Sequence, residues 1–474
     1  MDYSKLFING EWVASNGGHT FEVINPATEQ PCAQVIMGTE QDVNQAVSAA
    51  NNAFKTWSKL SSDERAHWLE KLVDRLKAYR DDMALCISQS MGIPLHLSAE
   101  IQVDDPIEIL QSYVARTALM DEIKRVGNAH IYKQPIGVCA LISPWNYPLN
   151  QLMGKLGPAL ASGCTVVVKP AEQTSLQDYY VAKACEDIGL PKGVFNLVPG
   201  TGEQVGNALS KHKDIQLISF TGSTRAGIQV ATNAAPTVKK VIQELGGKSP
   251  LIIDEGCDVE AAVNYGIEDV MINTGQTCTA YSRWLVHKSN IDEVTKLAKQ
   301  KAESLIIGSH DKAFIGPVVN ASQRTRILGY IRKGIEEGAT IITGGTEHPE
   351  GFETGYYVKP TIFKNVNNHM TIAQEEIFGP VICIIEFETQ AQAIQIANDT
   401  PYGLAAAVYA KDEQTGLKIA RQIDAGMVYI NGASYNIEAP FGGMKQSGNG
   451  REFGDEGLNE YVELKAIHLN PKIY

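Results

Sequence analysis

The sequence predicts an α/β protein with mainly parallel sheets, and two patterns lead there. From about residue 135, short apolar runs end in turn residues and are followed by helical stretches. A second region of the same alternation begins near Pro250. Strands that alternate with helices favour parallel pairing, because each crossover helix returns the chain to the same end of the sheet. Ligands of such sheets bind beyond the carboxyl ends of the strands. Functional residues are therefore sought just after each apolar run.

The elements follow in order. From Asp42 to Trp57, apolar residues at Val43, Ala46, Val47, Ala50, Phe54 and Trp57 have helical spacing. A second helix starts near Ser61, which has the capping-box spacing to Glu64. Strands are expected at Val138–Ile142 before SPWNYP, at Val166–Val168 before KPAE, and at Leu217–Phe220 before TGS. The second region offers a strand at Pro250–Ile253 and a helix from Asp258. A strand Val381–Phe387, a helix Ala391–Asn398 and a strand Met427–Asn431 follow. Residues 346–360, rich in Gly and Pro, read as a surface loop. Ala129–Lys133 and Tyr461–His468 alternate enough to be strands.

Composition bounds the function classes. A chain of 474 residues is long enough for two to four domains, at roughly 100–200 residues each. A net charge of −13 argues against non-specific binding to nucleic acid or an anionic membrane. The start, MDYSKLFINGEW, has neither the basic region and apolar run of a secretory signal nor the Arg-rich character of a transit peptide. No run of eighteen apolar residues occurs, so no membrane span is expected. The cytoplasm is the expected location by elimination. The eight cysteines form no C-x-x-C pair and the histidines no H-x-x-x-H, so no metal site is expected.

Five segments carry candidate chemistry. Cys278 lies in NTGQTCTAYSR. A free cysteine titrates near 8.5 and needs a helix N-terminus or a base to act as a thiolate at neutral pH. Taken alone, among small polar residues, it reads first as a structural thiol. Glu244, in QELGGKSP after an apolar stretch, reads as a general base or as a surface carboxylate beside a turn. Asn146, between Pro144 and Pro148, reads as an oxyanion donor or as a turn residue. Lys169 and Glu172 in VVVKPAE read as ribose contacts or as a solvated pair at a helix start. FTGSTRAG, residues 220–227, offers small residues that a pyrophosphate can approach, but it is not G-x-G-x-x-G. PGTGEQVG, with Gly200, Gly202 and Gly206, has different spacing again.

Taken together and in this order, PWNYP, VVVKPAE, FTGST, ELGGKSP, GQTCTA, EEIFGP and PFGGMKQSG-GRE resemble the motif series of the aldehyde dehydrogenase superfamily. The resemblance runs from INGEW to the last twenty residues. It implies three parts: a Rossmann-like cofactor domain over 1–115 and 136–247, an α/β catalytic domain over 248–447, and a small β oligomerisation element from 116–135 and 448–474. It implies that Cys278 is the nucleophile and Glu244 the general base. Asn146 would be the oxyanion donor, with the backbone N–H of Cys278. Lys155, in GKLGPA, matches a lysine assigned to a proton relay in some members. Ile142, Trp145, Lys169, Glu172, Gly202, Gly206, Thr221, Gly222, Ser223, Glu376 and Phe378 match the cofactor cleft.

The implied reaction is oxidation of an aldehyde to a carboxylic acid. A thiohemiacetal on Cys278 would give hydride to NAD, and the thioester left behind would be hydrolysed by water that Glu244 activates. A CoA-acylating relative commonly lacks the glutamate, and a non-catalytic relative would lack Cys278 or Asn146. NAD is expected over NADP because Glu172 would repel a 2′-phosphate, although Arg225, where the family often has Glu, leaves NADP possible. The implied partners are a small-molecule aldehyde and further copies of the chain, in a homodimer or homotetramer. At the substrate end, Asn150 and Gln151 are expected to make the tunnel polar and Gly154 to widen it. The loop Gly432–Ala439, with Tyr435 and Glu438, is expected to line it.

Overall fold

The structure is a computed structural model and describes residues 1–470. Residues 471–474 of the expected oligomerisation element lie outside the described residues. Four sheets organise the chain.

The first sheet has a parallel core ordered Lys240–Glu244, Leu217–Thr221, Val138–Ile142, Thr165–Lys169, Phe195–Leu197. In chain order from the other edge this is 3-2-1-4-5, the dinucleotide-binding arrangement. The order reverses between Val138–Ile142 and Leu217–Thr221, so a crevice opens at their carboxyl ends. The three central strands are fully buried, which is why each reads as an unbroken apolar run. Register aligns the ends: Ile142 lies opposite Lys169 and Phe220, and Thr221 lies opposite Glu244.

Leu6–Ile8 and Glu11–Val13 extend this sheet antiparallel. These strands were not expected, since three residues are too few to show a period. Asn9-Gly10 was the available signal. Both residues have positive φ (56° and 71°), as a two-residue hairpin turn with the right twist requires. Thr20–Asn25 and Gln30–Ile36 form a separate ribbon, also not expected. At the opposite edge, Gly448–Asn449 pairs antiparallel with Gln243–Glu244.

The second sheet has seven strands, parallel except where Thr340–Thr343 meets Thr361–Lys364. Pro250–Ile253 and Val381–Phe387 fall where the sequence places them. Ala405–Tyr409 was not expected, because its buried Ala run carries no strand signature. The third sheet pairs Val462–His468 with Ala129–Pro135, and the latter with Lys124–Val126, all antiparallel.

Local signals set the helix starts. Ser61 and Glu64 form the expected capping box at Ser62–Ala78. Glu40–Trp57 begins earlier than expected: Thr39 caps it and Asp42 is the reciprocal partner inside the first turn. Asp258 caps Val259–Met271. Among the described residues no helix is long and apolar enough to cross a membrane, and no group of side chains is arranged to hold a metal.

Candidate active site between two cavities

Cys278 stands at the end of a constrained turn. The helix Val259–Met271 runs out into Asn273, Thr274 and Gly275, which all have positive φ (51°, 57° and 73°). Such a conformation costs a β-branched residue like Thr on the order of 1–3 kcal/mol and persists only where neighbours impose it. Here they do. A Cβ on Gly275 would lie 2.1 Å from the Gly379 carbonyl oxygen, so only glycine lets this turn pass over the FGP segment. Thr274 Oγ1 donates to Gly316 O (3.0 Å), and Gln276 Oε1 accepts from Val319 N (2.9 Å). Asn273 Nδ2 donates to Asn146 O (3.0 Å).

Asn146 reaches back to the same turn. Its Nδ2 donates to Gln276 O (2.9 Å), and its carbonyl also accepts from Gln102 Nε2 (3.0 Å). The side chain is thus fixed two residues from Cys278 with its second amide proton uncommitted. Tyr147 Oη and Thr277 Oγ1 lie 3.0 Å apart, a further tie between the segments.

Two cavities meet at Cys278 and Gln151. The smaller, about 130 Å³, is lined by Trp145, Thr221, Gly222, Ser223, Glu376 and Phe378 among others. The Trp145 and Phe378 rings meet edge to face at 5.3 Å. Glu376 Oε1 accepts from Gly247 N (2.9 Å), and a Cβ on Gly246 would strike Glu376 Oε2 at 2.6 Å. Ser223 caps the helix Thr224–Ala234. The larger cavity, about 490 Å³, carries Tyr147, Asn150, Tyr265, Asp269, Tyr281 and Tyr435 in its wall.

Beyond the small cavity lies a second group. Glu172 Oε1 accepts from Gly202 N (3.0 Å) and stands 3.9 Å from Lys169 Nζ. A Cβ on Gly206 would lie 3.9 Å from Lys169 Cδ, so the glycine covers the lysine stem. Burial lowers the Lys169 pKa, against the pull of Glu172 and Asp178. Ile142 is 5% exposed and ends its strand.

Glu244 lies in neither cavity wall. It is 2% exposed, and neither carboxyl oxygen has a hydrogen-bond partner among the described residues. Oε1 would lie 2.6 Å from a Cβ on Gly442, so the carboxyl occupies the space that glycine leaves. Burial first, and then the charge of Glu452, push its pKa well above the carboxylate range, while Lys155 and Arg451 oppose this. Lys155 is fully buried. Its Nζ donates to Glu452 Oε1 (2.6 Å), Thr221 Oγ1 (2.7 Å) and Gln151 Oε1 (3.3 Å). Lys155 therefore binds the network behind Glu244, and the Thr221 hydroxyl is shared with it. Burial, then Glu244 and Glu376, raise the Cys278 thiol.

Some site features were not legible. Glu452 lies in the quoted C-terminal motif, yet only the structure gives it Lys155 as a partner. Asp105 and Asp269 had no signal at all. Two expectations at the substrate end are corrected. Gly154 does not widen the tunnel: a Cβ there would meet Phe453 Cε1 at 2.7 Å and Glu452 Oε2 at 3.3 Å, so Phe453 fills the space. Glu438 does not line the large cavity, because it turns to pair with Arg116, whereas Gly432 and Tyr435 of the same loop do line it.

A dinucleotide-type strand order with a cysteine between two cavities at its switch point is the layout of a thiol-dependent dehydrogenase. Comparisons with known proteins agree. Residues 12–467 match the model of the aldehyde dehydrogenase family. A 3-succinoylsemialdehyde-pyridine dehydrogenase of Pseudomonas sp. is 44% identical over 470 residues, covering 98% of each chain. A putative aldehyde dehydrogenase of Staphylococcus aureus is 45% identical, again over 98% of each. Among solved structures, a cysteine-to-alanine variant of Pseudomonas syringae aldehyde dehydrogenase C, in complex with NAD+ and octanal, superposes with a TM-score of 0.95. It is 42% identical and covers 98% of this chain and 96% of its own. The NAD+ complex of a Bacillus cereus aldehyde dehydrogenase gives 0.95 at 40% identity, over 99% and 97%. The chain belongs to the aldehyde dehydrogenase family.

Proposed function

We propose that the protein oxidises an aldehyde to a carboxylic acid with NAD, using Cys278 as nucleophile, Asn146 as oxyanion donor and Glu244 as general base. The observation that carries this is the place of Cys278 where the two cavities meet, so that one side takes the aldehyde and the other the nicotinamide.

The residues present fit NAD. The crevice at the strand switch point, the bare backbone at Gly222 and Gly246, and the edge-to-face pair Trp145–Phe378 suit a flat ring on a pyrophosphate. Lys169 and Glu172 would hold the adenosine ribose, with Gly202 and Gly206 beside them. Ser223 would contact the pyrophosphate, and Glu376 the nicotinamide ribose. NAD, when bound, supplies the hydride acceptor.

The side chains do the rest. The Cys278 thiol passes its proton to water, and its sulfur bonds the aldehyde carbon. Asn146, through its uncommitted amide proton, and the Cys278 N–H donate to the oxygen that gains charge. Losing one such donor typically costs about 3–4 kcal/mol of transition-state stabilisation. Once the carbon is oxidised, a thioester remains. Glu244 takes a proton from water, whose oxygen bonds the acyl carbon as the sulfur leaves. Burial and the charge of Glu452 raise the Glu244 pKa, which makes it a stronger base than an ordinary carboxylate. Lys155 and Glu452 set that pKa from behind.

Glu244→Gln separates the half-reactions. The variant is expected to release a burst near one NADH per subunit and then stall, with steady turnover reduced about 10²–10⁴-fold. Rapid mixing reads the burst, and mass spectrometry reads the acyl group on Cys278. Loss of the burst would mean that Glu244 also activates the thiol.

The same proposal divides the chain into a cofactor domain (1–115 and 136–247), a catalytic domain (248–447) and an oligomerisation element (116–135 and 448–474), and places the protein in the cytoplasm. Support for the element comes from the antiparallel tail sheet, whose strand Val462–His468 leaves Leu464 and Ile467 exposed. A homodimer or homotetramer is expected by sedimentation. Removing residues after Asn459 should lower its order, and a monomeric full chain would contradict this.

A further inference from the structure

The large cavity has a charge pattern that bears on which aldehyde it takes, granted that it is the substrate cavity. Three carboxylates, Asp105, Glu268 and Asp269, line it, and no Lys, Arg or His does. Glu268 is exposed and already paired with Lys301 at 3.2 Å. The other two are not answered by any cation. Asp105 is half-buried, and its carboxyl has neither a hydrogen bond nor an ion pair among the described residues. Burial first, then Glu108, Glu100 and Asp104, push it up to about 6. Asp269 has one partner, the Tyr281 N–H at 2.8 Å, and burial pushes it up to about 7. Burial raises both groups, and no cation offsets it.

Tyrosines complete the wall. Tyr265 stacks on Tyr281 at 5.7 Å, and Tyr281 meets Tyr429 at 6.5 Å. All three border the cavity, and the charge of Asp269 acts on each of them. Tyr147 links this cluster to the chemistry: Asp269, Cys278 and Asp105 all act on its phenol. Both carboxylates line the same cavity as the thiol, so one substrate can meet all three. Tyrosine faces attract cations, and unpaired carboxylates accept hydrogen bonds from them. An anion here would meet two uncompensated like charges.

We infer that the preferred substrate is an aldehyde bearing a cationic nitrogen at its far end, held by Asp105, Asp269 and the tyrosine wall while its carbonyl meets Cys278. An amine that stays protonated and a quaternary ammonium share this chemistry. The amine would use the carboxylates as acceptors, and the quaternary group would use the rings and charge alone.

Matched pairs test it on the whole enzyme with NAD. The trimethylammonium derivative of butanal is compared with its neutral tert-butyl isostere, and aminopropanal with butanal. A cationic preference of about 10–100-fold in kcat/KM is expected in at least one pair, as for a charge-assisted contact. The pair with the larger ratio tells quaternary from primary amine. The ratio should fall as salt is raised. Asp105→Asn and Asp269→Asn should each lower the ratio by about tenfold, through KM more than kcat. Unchanged thermal unfolding and NAD binding report that each variant is folded.

Neutral aldehydes oxidised as well as cationic ones would overturn the inference and leave the proposed chemistry standing. A ratio that survives both substitutions would overturn the assignment to these two residues. No NADH from any of the four aldehydes would overturn the substrate-cavity reading with it.

Discussion

The two cavities that meet at Cys278 are built in different ways. The smaller takes one side from strand ends of a single sheet and the turns just after them, Trp145 and Asn146, Thr221 to Ser223, Leu245 and Gly246, and is closed from the second region by Gln323, Arg326, Glu376 and Phe378. The strand-end contributions are short contiguous segments. The larger draws on Ile101 and Asp105, Tyr147 to Gln151, Tyr265 to Tyr281, Phe314, and the loop from Tyr429 to Phe441. Its residues come from helix faces and loops far apart in the chain. A backbone-lined crevice for a constant group can be written as local motifs. A wall that selects among aldehydes is written in side chains that meet only after packing.

Substitutions can break or sharpen that contrast. The largest effect is expected at the shared point. Cys278→Ala should lower aldehyde oxidation by about 10⁴-fold or more, as loss of a nucleophile does. NAD binding, read by quenching of tryptophan fluorescence, should persist because the small cavity is otherwise intact. Substantial turnover by this variant would remove the cysteine from the mechanism.

A middle-sized effect tests the motif-built side. Glu172, 3.9 Å from Lys169 Nζ, would face the ribose hydroxyls. NAD should therefore exceed NADP by about tenfold or more in kcat/KM, since placing like charges together costs several kcal/mol. A preference for NADP would mean that Arg225, which is exposed on the neighbouring helix, outweighs Glu172.

The smallest effect tests the network behind both cavities. As the proposed base, Glu244 would act only when ionised, so its raised pKa should set an acid limb of kcat above the ordinary carboxylate range. Glu452 raises that pKa and Lys155 lowers it. Glu452→Gln removes the first influence and leaves Lys155 unopposed, and both changes move the limb to lower pH. Lys155→Met should move it to higher pH. Shifts of about one unit or less are expected in pH–rate profiles. Unmoved limbs in both variants would make the pair purely structural.

Much of the frame was legible. Val138–Ile142, Pro250–Ile253 and Val381–Phe387 lie where their apolar runs place them, and the Ser61 capping box is where its spacing places it. A buried strand or a helix start has a local cause: continuous burial on both faces, or a side chain that satisfies a nearby N–H. Ala405–Tyr409 escaped because small buried residues carry no β signature, and its strand identity comes from the neighbours it pairs with. Gly154 misled for a related reason. A missing side chain was read as open space, but Phe453, some 300 residues on, occupies it.

The sequence by itself determined the two parallel sheets and the family, and it singled out Cys278, Glu244 and Asn146 as candidates. Strand patterning is local, and the chemistry of thiol, base and amide is a property of residue type. Only the tertiary structure decided what those residues experience. Burial and the charge of Glu452 raise Glu244, and three left-handed residues bent over Gly379 aim the turn that carries Cys278. Asp105 and Asp269 stand in one cavity with no cation to meet them. Field, desolvation and occupied volume depend on what lies across a gap in space, and spacing along the chain does not encode that distance.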